Sequence, residues 1–261
     1  MKAIDGLEHA LRDPKSTTPL VAYLTGGWPD REGFADLLRS VCSIADAVEI
    51  GVPFSDPMAD GPTIQKTSQE ALKQGVTLSW ILDTLLEMNP KPSAPILLMG
   101  YLNPFLAFGL ERLAEVASAA GVSAFIVPDL PFEESESFRV LMASHGMGVV
   151  QLVTPVTPPE RRQRLASASR GFVYAVTVTG ITGGDVGGSD GLTSTLKDLR
   201  LSSPVPVMAG FGIRRPDHVS SLAPHVDGVI VGSALLDCIR NGEDPVAYLS
   251  TLSSAGEEVS S

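Results

Sequence analysis

The chain has 261 residues, of which 44% are hydrophobic and 6% aromatic, so it can bury the core of one large domain or of two small ones. Its formal charge of −11 argues against a broad basic surface, which is what binds nucleic acids and anionic membranes. We therefore expect neither as a partner. Residues 1–13 contain no apolar signal segment, and no stretch approaches the ~18 apolar residues of a membrane helix, so we expect a cytoplasmic protein.

The cysteines and histidines form no recognisable ligand pattern. Cys42 and Cys238 are far apart in the sequence, and the four histidines do not cluster at metal-binding spacings. We therefore expect reduced thiols and no protein metal site.

Short apolar segments alternate with amphipathic helical patterns along the whole chain. An N-terminal helix is predicted over residues 3–12. Strands are predicted at residues 20–25, 47–50, 95–100, 124–127, 148–153, 172–176, 205–209 and 228–231. Further helices are predicted at residues 31–43, 63–73, 78–87, 110–120, 133–145, 159–168, 192–199, 216–222 and 245–252.

This alternation predicts the class of fold. Nearly continuous apolar strands are typical of a parallel sheet that is covered on both faces, and eight strand–helix units in about 250 residues are the size of a (β/α)8 TIM barrel. We expect such an α/β barrel with extra helices, including the N-terminal one and an added helix between strands two and three. An open doubly wound sheet is the alternative, but no GxGxxG follows strand one. No linker divides the chain, so we expect one domain over 1–261 with a frayed tail at 253–261.

A single carboxylate interrupts the second strand. Strand alternation puts Glu49 on the same face as Ala47 and Gly51, near the C-terminal end of the strand. A carboxylate in such a buried position has a raised pKa, which suits general acid–base catalysis. The alternative at this stage is a strand-end glutamate that reaches solvent.

Glycine-rich turns follow the last three strands. Gly210–Gly212 follows strand seven and Gly232-Ser233 follows strand eight, where TIM barrels commonly bind phosphate near a helix N-terminus. Ser233 is expected to cap the next helix. The glycine-rich segment 180–191 predicts a mobile lid. The alternatives are tight turns for the first two segments and a plain surface loop for the third.

Other polar residues also follow strand ends. Asp60 and Asp129 can be ordinary turn residues, and Tyr101 and Tyr174 can be core aromatics whose hydroxyls find partners.

Several longer motifs resemble one family, the tryptophan synthase alpha subunit. They lie in order along the chain as YLTGGWP (23–29), EIGVPFSDPMADGPTIQ (49–65), MGYLNP (99–104), VPDLPFEES (127–135), TGITG (179–183), GFGI (210–213) and GSA (232–234). The second motif is long and specific, whereas GFG and GS are weak alone. The GGWP turn departs from the family pattern, and we assign no role to Trp28.

The resemblance implies a lyase of tryptophan biosynthesis. It implies retro-aldol cleavage of indole-3-glycerol phosphate to indole and glyceraldehyde 3-phosphate, without a cofactor in this subunit. Glu49 corresponds to the general acid–base and Asp60 to the carboxylate that holds the indole N–H, as the charge developing on the ring requires. The substrate-binding positions that the resemblance implies are Tyr23, Tyr101, Leu102, Val127, Tyr174, Thr182, Gly183, Phe211, Gly212, Gly232 and Ser233.

The resemblance also implies a partner. The family pairs this subunit with a beta subunit that carries pyridoxal phosphate, and an alpha2beta2 heterotetramer is expected. Pro53, Asp56 and Asp129 are the candidate interface residues.

Three other functions remain open at this stage. One is a sugar-phosphate isomerase or epimerase, but strands one and five end in Thr25 and Val153, which do not suit proton transfer. Another is a catalytically weak barrel that acts as an allosteric partner, which the intact Glu49 and Asp60 disfavour. The third is a stand-alone indole-releasing lyase, which only partner binding would distinguish.

Overall fold

Eight parallel strands close into a barrel in the order of the sequence. The structure is a computed structural model, and it describes residues 2–177, 190–210 and 212–255. The strands are β1 Leu20–Thr25, β2 Ala47–Gly51, β3 Ile96–Met99, β4 Val122–Ile126, β5 Gly148–Val153, β6 Val173–Val176, β7 Val207–Gly210 and β8 Gly228–Val231. The predicted TIM barrel is therefore confirmed.

Helices surround the barrel and connect its strands. In the described part of the chain they are α1 Ala3–Arg12, α2 Phe34–Ile44, α3 Pro62–Lys73, α4 Leu78–Glu87, α5 Leu102–Phe108, α6 Leu110–Ala119, α7 Glu136–Ser144, α8 Pro159–Ala168, α9 Asp190–Ser202, α10 Pro216–Leu222, α11 Ser233–Arg240 and α12 Pro245–Ser253. A short 3-10 helix, Phe132–Glu134, precedes α7. The added helix predicted between β2 and β3 is present, since both α3 and α4 lie there.

Two helices were not predicted from the sequence. Helix α5 has only seven residues and contains Pro104, so it offers no clear amphipathic repeat. Helix α11 has only eight residues, and three of its first four are apolar and follow directly after the turn at the end of β8. Helices of about two turns repeat the amphipathic pattern too few times to be recognised by periodicity.

Some predicted boundaries were also wrong. β7 begins at Val207 instead of Val205, because Pro206 has no N–H to donate to a neighbouring strand. Helix α9 begins at Asp190, inside the segment predicted as a loop. Helix α12 extends to Ser253, which is buried, as is Ala255, so the predicted frayed tail does not include them. Residues 256–261 lie outside the described residues.

The N-terminal helix α1 covers the N-terminal end of the barrel. Its residues Ile4 and Leu7 are buried. A Cβ atom added at Gly148, the first residue of β5, would lie 2.5 Å from Ile4 Cδ1, and one at Gly171 would lie 2.7 Å from Leu7 Cδ2. Glycine at these two positions therefore lets α1 pack directly against the strand ends.

Glycines at the other end of the barrel make room for two tyrosines. A Cβ atom at Gly51, the last residue of β2, would lie only 1.9 Å from Tyr23 Oη. One at Gly210, the last residue of β7, would lie 2.5 Å from Tyr174 Oη. The two tyrosines are buried and project across these strand ends, where the polar side chains of the barrel were predicted to meet.

We expect Gly51→Ala to destabilise the fold by about 1–3 kcal/mol, because the added methyl group would overlap the Tyr23 hydroxyl and displace its ring. Urea unfolding would measure the change. Gly6→Ala on α1 is the matched control, since its Cβ would meet nothing within 4 Å and alanine favours helix. Equal stability of Gly51→Ala and the unmodified chain would show that the strand end is loosely packed.

The helices of the described residues include none that is both long enough and apolar enough to cross a membrane.

Candidate active site

Glu49 lies inside the barrel, near the C-terminal end of β2. It pairs in register with Tyr23 on β1 and with Leu97 on β3. Its side chain is 0% exposed, and neither carboxylate oxygen has a hydrogen-bond partner among the described residues. The structure thus excludes the alternative of a strand-end glutamate that reaches solvent. A buried polar group without a partner is costly and is typical of a functional site.

Burial controls the protonation of Glu49. Removal of water from around the carboxylate raises the pKa of Glu49 from 4.5 to about 8, because the charged form is no longer solvated. Glu49 is therefore mainly protonated at neutral pH and can donate a proton.

The raised pKa of Glu49 predicts a stability difference that depends on pH. Between pH about 4.5 and about 8 the folded chain keeps a proton that the unfolded chain has lost, so stability present below this range is lost as pH rises through it. Glu49→Gln does not titrate. We expect the variant to gain stability relative to the unmodified chain by up to about 1.4 kcal/mol per pH unit across the range.

Urea unfolding at pH 5, 7 and 9 would measure this difference between the two proteins. The exposed Glu87→Gln on α4 is the control and should show no such trend. A stability difference between Glu49→Gln and the unmodified chain that is constant with pH would contradict the raised pKa.

Asp60 is the second carboxylate of the site. It lies in the loop between β2 and α3, directly before Gly61, the N-cap of α3, and is half-buried. Burial raises the pKa of Asp60 to about 6, and a hydrogen bond from the Tyr101 hydroxyl opposes that rise. Asp60 is therefore mainly ionised at neutral pH, in contrast to Glu49.

The two carboxylates share an electrostatic environment with the tyrosines of the barrel. Burial is the main cause of the raised pKa values of Tyr23 and Tyr174, and the charges of Asp60 and Glu49 raise both further. The two tyrosine hydroxyls therefore stay protonated and can act as hydrogen-bond donors. Glu49, Asp60, Tyr23 and Tyr174, all predicted site residues, are thus brought together.

Tyr101 joins the loop after β3 to the loop after β2. Its hydroxyl accepts a hydrogen bond from Ala59 N at 2.9 Å, next to Asp60, and its ring stacks on Phe54 with centroids 5.2 Å apart. Sequence analysis did not identify Phe54, although an aromatic residue within the specific motif was a usable signal. The contact explains how the Asp60 loop is held over the barrel.

Leu102, Val127 and Asp129 form the adjoining part of the rim. The Leu102 N–H, at the start of α5, donates to Asp129 Oδ1 at 2.9 Å. Val127 follows β4 and is buried. Asp129 therefore connects the loops after β3 and β4 within this chain.

The glycine-rich turns after β7 and β8 lie at the same end of the barrel. Gly212 has φ +84°, a left-handed conformation that favours glycine, and its carbonyl oxygen contacts His218 Nδ1 at 3.1 Å. Gly232 is the N-cap of α11 and Ser233 is its first residue, so the prediction that Ser233 caps the helix was wrong. The unpaired N–H groups of the first helical turn can bind an anion there.

Three predicted substrate-binding residues, Thr182, Gly183 and Phe211, lie outside the described residues. So does segment 180–189, which includes most of the predicted lid.

The candidate interface residues differ in exposure. Pro53 is buried within the chain and Asp129 is half-buried, whereas Asp56 is exposed. Met58, two residues after Asp56, is 84% exposed. The part of the β2 loop around these last two residues offers accessible surface at the rim of the barrel.

Trp28 belongs to a cluster that was not predicted. Its Nε1 donates to Glu70 Oε2 on α3 at 2.7 Å, and Arg240 at the end of α11 donates to both oxygens of Glu70 at 3.1 Å. The Arg240 guanidinium also lies 5.2 Å from the Trp28 ring centroid. The cluster joins α3 to α11 and contains neither Glu49 nor Asp60. Its contacts therefore give Trp28 a structural role.

Metal-ligating side chains do not converge in the described part of the chain, where no group of three or more histidine, cysteine, aspartate and glutamate residues is arranged to hold an ion.

Comparisons with known proteins agree with one another. A family model described as "Tryptophan synthase alpha chain" matches residues 10–259. The chain is 43% identical over 247 residues to the tryptophan synthase alpha chain of Geobacter sulfurreducens, covering 92% of this chain and 94% of that one. It is 40% identical over 244 residues to that of Chloroflexus aurantiacus, covering 90% and 92%. The crystal structure of the Legionella pneumophila subsp. pneumophila alpha chain superposes with a TM-score of 0.86 at 30% identity, covering 100% and 99% of the two chains.

Proposed function

Because the chain belongs to the tryptophan synthase alpha chain family, it is a lyase that cleaves indole-3-glycerol phosphate in tryptophan biosynthesis, and we propose that Glu49 and Asp60 carry out that cleavage. The observation that carries the proposal is the buried Glu49 carboxyl, which has no hydrogen-bond partner among the described residues. It lies near the end of the strand, and its pKa of about 8 is higher than that of the second carboxylate, Asp60, at about 6.

Glu49 first acts as an acid. The reaction requires a proton on the indole ring carbon that bears the glycerol chain. A carboxyl group with a pKa of about 8 holds that proton at neutral pH and has no competing partner among the described residues. The ring then carries a positive charge that is shared with its nitrogen.

Asp60 stabilises that charge. Its pKa of about 6 keeps it ionised at neutral pH, so it can accept the indole N–H as positive charge develops. Different environments separate the pKa values of the two carboxyl groups, which lets one act as an acid while the other stays charged.

Glu49 then acts as a base. It takes the proton of the hydroxyl on the carbon next to the ring, the carbon–carbon bond breaks, and its electrons return to the ring and neutralise the nitrogen. Indole and the aldehyde of glyceraldehyde 3-phosphate result. Glu49 has lost one proton and regained one, so it ends the cycle as it began.

The remaining proposed residues hold the substrate. The turns at Gly212 and Gly232-Ser233 bind its phosphate, together with Gly183, through backbone N–H groups and the Ser233 hydroxyl. Side chains at the mouth of the barrel surround the indole and glycerol parts, and Thr182 bonds Asp60 when the site closes. Those side chains are Tyr23, Tyr101, Leu102, Val127, Tyr174 and Phe211.

The same proposal includes a partner. Indole passes to a tryptophan synthase beta subunit in an alpha2beta2 assembly in the cytoplasm, and that subunit carries the pyridoxal phosphate, so this chain needs no cofactor. Asp56 supports this interface because it is exposed on the β2 loop. Pro53 and Asp129 are less accessible, so their role would be to hold the loops after β2 and β4 in position at the interface.

Indole release from indole-3-glycerol phosphate tests the proposal directly. We expect the isolated chain to release indole slowly and the addition of a beta subunit to accelerate release, because closure of the β2 loop depends on the partner. The assay follows indole by fluorescence with and without the beta subunit and serine. Unchanged turnover with a bound beta subunit would favour a stand-alone lyase. No turnover in either condition would overturn the proposal.

A further inference from the structure

Helices α3 and α11 begin next to the two parts of the proposed site that bind the indole and the phosphate. Asp60 directly precedes the start of α3, and the turn proposed to bind phosphate contains the start of α11. Two side-chain connections join these helices in the described structure. One is the Glu70–Arg240 pair near their C-terminal ends. The other, nearer the site, is formed by Asp237.

The two carboxylate oxygens of Asp237 accept hydrogen bonds from two different parts of the site. Oδ1 accepts a hydrogen bond from the Thr63 hydroxyl at 3.3 Å, and Thr63 is the second residue of α3, three residues after Asp60. Oδ2 accepts from Arg214 Nη1 at 2.9 Å, and Arg214 lies two residues after Gly212. Asp237 therefore contacts the base of both loops.

The Arg214 side of this network is anchored by a further contact. The Tyr248 hydroxyl on α12 donates to the Arg214 carbonyl oxygen at 2.9 Å. This contact holds the backbone of the β7 loop, so the Arg214 guanidinium reaches Asp237 from a fixed main chain. One carboxylate therefore links Thr63 at the start of α3 to Arg214 in the β7 loop.

We infer that Asp237 is a positioning residue that keeps the phosphate-binding turns in register with the Asp60 loop. The inference rests on the proposed function, since it uses the roles given there to Asp60 and to the turns after β7 and β8. Asp237 touches no reacting atom. It acts through Thr63 on the position of Asp60 and through Arg214 on the position of Gly212.

Variants that break only one of the two contacts of Asp237 should change different kinetic constants. Asp237→Asn keeps an oxygen for the Thr63 hydroxyl but loses the charge that pairs with Arg214. We expect it to raise KM and the Kd for inorganic phosphate by about threefold to fivefold, the range of an exposed ion pair, with kcat little changed. Thr63→Val has the opposite pattern, with kcat about threefold to fivefold lower and the Kd for phosphate unchanged. Asp237→Ala should show both effects.

The Glu70–Arg240 pair supplies the matched control. It joins the same two helices through a partly exposed ion pair but contacts neither loop. Arg240→Gln should therefore lower stability without changing kcat, KM or the Kd for phosphate. Purified full-length chains would be compared by indole release and by calorimetric titration with inorganic phosphate.

The outcomes separate this inference from the proposed function. Suppose that the unmodified chain and Arg240→Gln both release indole. If the Asp237 variants then have the same kinetic constants as these two proteins, Asp237 has only a structural role and the inference is wrong. The same holds if Asp237→Ala changes kcat and KM no differently from Arg240→Gln. If the unmodified chain itself releases no indole, the proposed function has failed instead.

Discussion

Replacing Glu49 with glutamine is expected to lower kcat for indole release by about 10²-fold or more, the range for loss of a general acid–base group. The amide keeps the shape of the side chain but has no proton to donate to the ring carbon and cannot accept one from the hydroxyl. KM should change little, because the residues proposed to bind the substrate phosphate and the indole are others. Steady-state kinetics with and without a beta subunit would measure both constants.

The pH dependence of kcat/KM is a second test of the mechanism. The proposed mechanism needs Glu49 protonated and Asp60 ionised, so kcat/KM of the unmodified chain should rise through pH about 6 and fall through pH about 8. The exposed Glu87→Gln should keep both limbs. Full activity of Glu49→Gln would disprove the mechanism, even if the family assignment stands.

Asp60→Asn is expected to lower kcat by about 10²–10³-fold, because a neutral amide cannot stabilise the positive charge that develops on the indole nitrogen. The loss should occur mainly in kcat, since the charge is present only after protonation of the ring. The limb near pH 6 should disappear from any residual activity, because Asp60 is the group that titrates there.

Asp83→Asn on α4 is the matched control for Asp60→Asn. Asp83 is an exposed aspartate outside the site, and its replacement should leave kcat and KM unchanged. If Asp60→Asn kept the acid limb, the titration near pH 6 would belong to another group. If it raised KM alone, Asp60 would bind the substrate without stabilising the transition state.

The repeating architecture could be read from the sequence because buried parallel strands are short, apolar and separated by amphipathic helices. β1, β5 and β8 were predicted to the residue. Helix α11 was missed because it has only eight residues and begins directly after the short turn that follows β8. Amphipathic periodicity is a repeated contrast between buried and exposed faces, and a helix of about two turns is too short to repeat it clearly.

The site was predictable to a similar extent. Glu49 was recognisable because a charge inside an apolar strand is anomalous, but only the structure decided whether it is buried or reaches solvent. The contacts of Asp237 and the stacking of Phe54 on Tyr101 join segments that are distant in sequence, and such contacts leave no local pattern. The space that Gly51 leaves for Tyr23 also depends on how neighbouring strands align, which a single strand does not encode.

The packing of α1 against the first residues of the strands has a consequence for product release. Ile4 and Leu7 are buried against the glycines at the N-terminal end of the barrel, and the interior of such a barrel is filled by side chains. On the proposed function, substrate would enter and both products would leave at the opposite end, where Glu49 and Asp60 lie. A beta subunit seated over that end would meet indole as it leaves the barrel.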